Sequence, residues 1–170
     1  AAYWEWEPEL RDRHEPALAA AREQLAQEID DVITMQALFD RQWRSLRALC
    51  AEAGIRLIGD VPLYVDADSA DVWVHRSSFQ LDDEGRPAAL AGAPPDYFSE
   101  LGQLWGNPIY DWAQLAKTGH AFWIERMRRM LQQADIIRID HFRGLSAYWH
   151  TPPGSPDARP GRWVKGPGRR

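Results

Sequence analysis

At 170 residues and 19.5 kDa the chain has the length of a single domain. Its 45% apolar and 26% charged residues exclude wholesale disorder, and a formal net charge of −5 argues against nucleic acid or an anionic membrane as main partner, since both select for a basic face. One cysteine, Cys50, allows no internal disulfide, and no apolar run approaches the ~20 residues of a membrane span.

The first residues, Ala1-Ala2-Tyr3-Trp4-Glu5, carry neither an initiator methionine nor the basic head and apolar body of a signal peptide. From Pro16 to Ala53 the apolar residues keep helical spacing, through Leu18, Leu25, Ile29, Val32, Phe39, Trp43, Leu46 and Leu49. A break near Glu28 to Ile33 is compatible with the pattern, and Gly54 suits a left-handed cap at the end. The period then changes. Ile55-Arg56-Leu57-Ile58-Gly59-Asp60-Val61, closed by Pro62, reads as a strand covered on both faces, as in a parallel sheet.

The same order recurs later. Phe122, Ile124, Met127, Met130 and Leu131 mark an amphipathic helix, and Ala134-Asp135 leads into Ile136-Ile137-Arg138-Ile139-Asp140. Two helix–strand units, each ending in an aspartate, predict an α/β fold with right-handed crossovers. A complete (β/α)8 (TIM) barrel needs ~250 residues, so the chain could hold only part of one, with a helical insertion and long active-site loops. The expected division is a helical segment over 1–54 leading into the barrel, and a partial barrel over 55–170.

Between the units lie about fifty residues, Val61 to Tyr110, rich in Gly, Pro and aromatics. Structureless connections longer than ~12–15 residues are usually functional or disordered. Disorder would leave Tyr64, Trp73, Phe79, Tyr97, Phe98, Trp105 and Tyr110 in water, so a folded excursion is expected. Pro152 to Pro167 reads as a loop rich in Pro, Gly and Arg. The ending Gly166-Pro167-Gly168-Arg169-Arg170 lacks a closing element, and with the missing methionine it suggests a piece of a longer protein.

Side chains two apart on a strand share a face, so Arg138 and Asp140 project together at the end of the second strand. That is where barrel enzymes place reactive groups. A guanidinium there would keep the carboxylate ionised and oriented, which suits a nucleophile at a sugar's anomeric carbon and not a general acid. The pattern equally fits a structural ion pair capping a strand. Asp60, ending the first strand, can accept from a substrate hydroxyl, serve as a second carboxylate, or simply cap the following turn.

Ala93-Pro94-Pro95-Asp96-Tyr97-Phe98-Ser99-Glu100 and Gln103-Leu104-Trp105-Gly106-Asn107-Pro108 combine flat rings with amides, the pairing that suits the C–H faces and hydroxyls of a pyranose. Core packing accounts equally well for one or two of these rings. A metal site built from Asp60, His75 and His141 would need a spacing unlike any compact ligand motif, so none is expected. Neither a nucleophile elbow nor a phosphate-cradling glycine motif is present.

Ile137-Arg138-Ile139-Asp140-His141-Phe142-Arg143-Gly144, the Pro94 to Pro108 loop and Ile58-Gly59-Asp60-Val61-Pro62 resemble the 4-α-glucanotransferases, the amylomaltase or disproportionating-enzyme family. Leu38-Phe39-Asp40-Arg41-Gln42-Trp43 and Gly161-Arg162-Trp163-Val164-Lys165-Gly166-Pro167-Gly168 extend the similarity, which runs collinearly over nearly the whole chain. The resemblance implies a retaining transferase moving α-1,4-glucan segments between maltooligosaccharides, or starch- and glycogen-type glucans, on a barrel distantly related to α-amylases. It implies Asp140 as nucleophile with Arg138 supporting it. Asp60, His141, Asp96, Tyr97, Phe98, Ser99, Gln103, Trp105 and Asn107 would contact the sugars. No cofactor, nucleic acid or membrane is expected, and the location is expected to be cytoplasmic. The family's acid/base glutamate and stabilising aspartate would lie beyond Arg170, so the chain alone is expected to be inactive. An α-glucan hydrolase of the α-amylase type and a non-catalytic glucan-binding piece are the competing readings.

Overall fold

A computed structural model describes residues 1–168. It is a mixed α/β structure whose residues cluster into two compact units.

The first unit comprises Ala1–Gly59 and Arg128–Arg138. Short helices α1 (Pro8–Arg11) and α2 (Glu15–Gln24) each carry proline in the first turn, where its missing N–H costs no helix bond. Leu25, rather than the Glu28–Ile33 stretch, separates α2 from the 27-residue helix α3 (Ala26–Glu52), and Gly54 follows with φ +71°. Hydrogen bonds tie α3 to the end of the later helix. Trp43 Nε1 donates to the Gln133 carbonyl (2.7 Å), Arg47 reaches Asp135 (2.5 Å), and Arg129 reaches Asp40 (2.5 Å). Asp135 also accepts from the Leu57 amide (2.9 Å), and this bond, followed by Arg47, holds its carboxyl below the usual range.

Strand β1 (Ile58–Val61) is the last half of the expected seven-residue strand. The second unit, Asp60–Met127 with Ile139–Arg170, begins inside it. Here the excursion is well organised. Helix α4 (Ala70–Val74) is capped by Ser69 Oγ, which accepts from the Val72 amide. Strands β2 (Leu90–Ala93) and β3 (Gln103–Pro108) form an antiparallel pair. Gly92 permits their approach, since a Cβ there would stand 2.2 Å from the Gln103 carbonyl oxygen. Helix α5 (Trp112–Lys117) starts at an Asp111 cap, and α6 (Ala121–Gln133) leads to β4 (Ile136–Ile139).

β1 and β4 pair with each other, and the backbone bonds show the direction: Leu57 O accepts from Asp135 N and Ile136 N, and Val61 O from Asp140 N, so the strands run parallel. Neither strand is covered on both faces; Ile58 is 68% exposed. After β4 come β5 (Ala147–Thr151) and β6 (Arg162–Lys165), completing an antiparallel sheet of order β3-β2-β5-β6 with Trp149 opposite Trp163. β6 therefore lies within the Pro152–Pro167 stretch expected to be a loop. The core of this unit is aromatic and aliphatic: Val61, Leu63, Phe79, Ile109, Tyr110, Leu115 and Phe122 are buried, with Phe79 stacked on Tyr110 at 5.1 Å.

No described helix is long and apolar enough to cross a membrane.

Candidate active site

β4 ends at Ile139, and the chain turns sharply through Asp140 and His141. His141 has left-handed backbone angles (φ 52°, ψ 38°), a conformation that L-residues with side chains adopt only when their surroundings hold it. One reason is close packing behind it. A Cβ on Gly144 would lie 2.3 Å from Leu63 Cδ2 and 3.2 Å from His141 Cδ2, so only glycine lets the turn approach this closely.

That turn borders a cleft of about 500 Å³ within the second unit. Asp140 and His141 line it with Trp105 and Asn107 from β3, and with Pro62 to Asp66, the strip that leaves β1. Ser69, Asp71 and Arg126 complete the wall. Three rings set its shape. Tyr64, 7% exposed, lies 6.2 Å from Trp105 and 6.4 Å from His141, and Trp105 meets His141 edge-on at 4.7 Å. Gln103 Oε1 accepts from Trp105 Nε1 (3.0 Å), fixing the indole plane.

Electrostatically the cleft combines an exposed carboxylate with a neutral imidazole. Asp140 is exposed. Burial pushes His141 below its ordinary pKa; the Asp140 charge opposes this and Arg143 reinforces it. Its Nε2 is buried and has no hydrogen-bond partner among the described residues. Burial pushes the Tyr64 phenol well above its usual value, keeping it a neutral donor.

Of the expected site residues, the cleft thus gathers Asp140, His141, Trp105 and Asn107, with Gln103 bracing Trp105. The Asn107 amide donates to the Val65 carbonyl (2.8 Å), so it also holds the wall. The others lie outside the lining. Asp60 is exposed on β1, and Arg138 is exposed on β4 within the first unit. Asp96 Oδ1 accepts from the Phe98 and Ser99 amides (2.9 Å each), and Ser99 Oγ donates to the Gly102 carbonyl (2.7 Å). These bonds shape a tight tip that presents Tyr97 and Phe98 to solvent at 96% and 92% exposure. Among the described residues no cluster of His, Cys, Asp or Glu could hold a metal ion.

Sequence reasoning did not assign Tyr64, Asp66, Ser69, Asp71 or Arg126 to the site. For Tyr64 a signal existed, because the loop leaving a parallel strand's carboxyl end is where such sites form. Nothing in the pattern distinguishes Arg126 from Arg128 and Arg129 on the same helix.

The family model for 4-alpha-glucanotransferase matches residues 1–170. The chain belongs to this family. It is 51% identical to the 4-alpha-glucanotransferase of Thermus thermophilus over 97% of its length, and 47% identical to that of Streptococcus pneumoniae over 98%. In both cases it spans 33% of the relative, so it corresponds to about a third of the curated relatives' length. Among solved structures, amylomaltase from Streptococcus agalactiae, in complex with acarbose, superposes with a TM-score of 0.95 at 40% identity, covering 98% of this chain and 34% of that one. Amylomaltase from Corynebacterium glutamicum matches with a TM-score of 0.67 at 25% identity, over 76% of this chain and 18% of that one.

Proposed function

We propose that this chain supplies the nucleophile and one aromatic wall of the active site of a 4-α-glucanotransferase, acting by retaining double displacement. The observation that carries the reading is the position of Asp140: in a chain of this family, an exposed carboxylate closes β4 beside Trp105, Tyr64 and His141 in one cleft. Residues 55–170 would then form part of a (β/α)8 barrel, with 1–54 leading into it.

In the first step an Asp140 carboxylate oxygen attacks C1 of an α-1,4-linked glucose. The C1–O4 bond breaks as the departing oxygen takes a proton from a carboxylic acid supplied by residues outside this sequence, leaving a β-glucosyl ester on Asp140. In the second step the 4-hydroxyl of an acceptor glucan attacks C1. The same carboxylate takes its proton, the ester bond breaks, and the α configuration is restored. The two carboxyl groups must stand ~5–5.5 Å apart for this. Neither step requires a cofactor.

The remaining expected residues take supporting parts. Arg138, two residues before Asp140, takes the part of the arginine that supports the nucleophile. Asp60, Gln103 and Asn107 serve sugar hydroxyls, His141 lines the site beside them, and Trp105 provides a face for a pyranose. Asp96 and Ser99 hold the tip that carries Tyr97 and Phe98 onto neighbouring sugars. Excluding water from the ester favours an acceptor sugar over hydrolysis. Substrates are maltooligosaccharides and starch- or glycogen-type glucans, and the setting is cytoplasmic.

The test is maltotriose disproportionation by the complete polypeptide that carries this sequence. Glucose and longer chains should accumulate with no net gain of reducing ends. A gain in reducing ends would replace the transferase with an α-glucan hydrolase on the same scaffold, and sugar binding without turnover would leave only a glucan-binding role.

A further inference from the structure

The strip Pro62 to Val65 forms the wall of the cleft facing Trp105 and His141, and its carbonyls are held by side chains from elsewhere in the fold. Arg126, on α6, accounts for most of this. Its Nη2 donates to the Pro62 carbonyl (2.6 Å), and its Nη1 donates to the Leu63 carbonyl (3.0 Å) and to Tyr110 Oη (3.1 Å). Tyr110 Oη in turn donates to the same Leu63 carbonyl (2.8 Å), while its ring stacks on Tyr64 at 5.9 Å. Trp123 supports the guanidinium from below, 5.2 Å from ring centroid to Arg126 Cζ. One planar fork thus reaches two consecutive carbonyls and a buried phenol, the fixed geometry that a lysine's single ammonium cannot reproduce.

We propose that Arg126 is a positioning residue for glucan transfer: it sets the height of the Pro62–Val65 strip, and through it the place of Tyr64 against Trp105 and His141 beside Asp140. This rests on the reading of the cleft as the sugar site. Arg126 also borders the cleft, but the role assigned to it runs through the wall it holds, not through contact with the reacting atoms. A displacement of the order of 1 Å in such a wall costs ~100-fold in rate where substrate alignment limits the reaction.

The experiment compares wild type, Arg126→Lys, Arg126→Gln and Arg126→Ala in the complete polypeptide, with kinetics on maltotriose normalised to the folded fraction by circular dichroism at the assay temperature. For Arg126→Gln the expected result is a fall of about 10- to 100-fold in kcat/KM per folded molecule, carried largely by KM. Lysine should restore only part of it. Millimolar guanidinium, far below denaturing levels, should recover activity in Arg126→Ala and leave Arg126→Gln unchanged. A purely structural arginine would lower the melting temperature while leaving KM and the activity per folded molecule at wild-type values, and that outcome overturns the proposal. A sugar-free readout separates it from the functional reading: the Trp105 indole N–H resonance should move in Arg126→Gln. If wild type transfers no glucan but this resonance moves, the transferase reading fails, and what stands is that Arg126 places the Pro62–Val65 wall against Trp105. If the resonance stays in place, the positioning role fails whatever the activity.

Discussion

Two groups of aromatic residues lie in the excursion between the helix–strand units, and they have opposite structural status. Tyr64 and Trp105 are locked into a wall by ring contacts with His141, by Gln103 on the indole, and by Tyr110 and Arg126 behind the strip. Tyr97 and Phe98 touch each other edge-on at 5.5 Å, yet both stand almost wholly in solvent on a tip whose backbone is shaped by Asp96 and Ser99. The first group is preorganised; the second is displayed. Rings that contribute packing energy and rings left in solvent can therefore share one sequence composition, and substitution should distinguish them sharply.

The largest effect belongs to the carboxylate beside the locked group. Asp140→Asn should reduce maltotriose disproportionation by the complete polypeptide by a factor on the order of 10⁴ or more without altering its melting temperature, since an amide cannot form the ester. Substantial residual transfer would remove Asp140 from the role of nucleophile. Next comes the turn behind it. Gly144→Ala drives a methyl group into Leu63 and His141, and about 1–3 kcal/mol of stability should be lost in denaturant titrations along with sugar affinity. An unchanged midpoint would mean that the turn yields freely.

The displayed pair should behave in the reverse way. Tyr97→Ala with Phe98→Ala should leave stability within about 0.5 kcal/mol, because exposed side chains bury little on folding. Binding of maltoheptaose, followed by tryptophan fluorescence, should nevertheless weaken several-fold. Equal affinity in the double variant would show that the tip does not meet sugar. The smallest effect is a pH dependence from His141. Its pKa lies below 6.5 in the folded protein, so the unfolded chain binds the proton first as pH falls. The contribution of His141 to stability is therefore greatest above pH 6.5 and declines as pH drops from 6.5 through the lower folded value. Titration of its ring protons by NMR should show that lower midpoint; one at or above 6.5 would contradict the burial argument.

Much of this was legible in the residues. Helical spacing located α3 and α6, and the short apolar runs located β1 and β4, with Asp60 inside the first and Asp140 directly after the second. These signals are local, arising from which side chains share a helix face or a strand face within a few residues. The motif around Asp140 also carries the resemblance to the family within a few consecutive residues.

Other features depended on distant partners. β2 becomes a strand by pairing with β3 and with β5, whose Trp149 lies opposite Gly92, and β6 arises from a stretch whose Pro and Gly content reads as loop. The separation of Tyr64 from Tyr97, equivalent aromatics by composition, follows from which one found Tyr110 and Trp105 beside it. Arg126 is one of three similar arginines on α6, and only the chain's path puts carbonyls within its reach. Periodicity and strand-end chemistry are written within a few neighbouring residues, so the sequence alone determined the helix–strand units and the nucleophile candidate. Burial, hydrogen-bond partnership and ring contacts involve residues tens of positions apart, so the wall of the cleft and its anchor were decided only when the chain closed on itself.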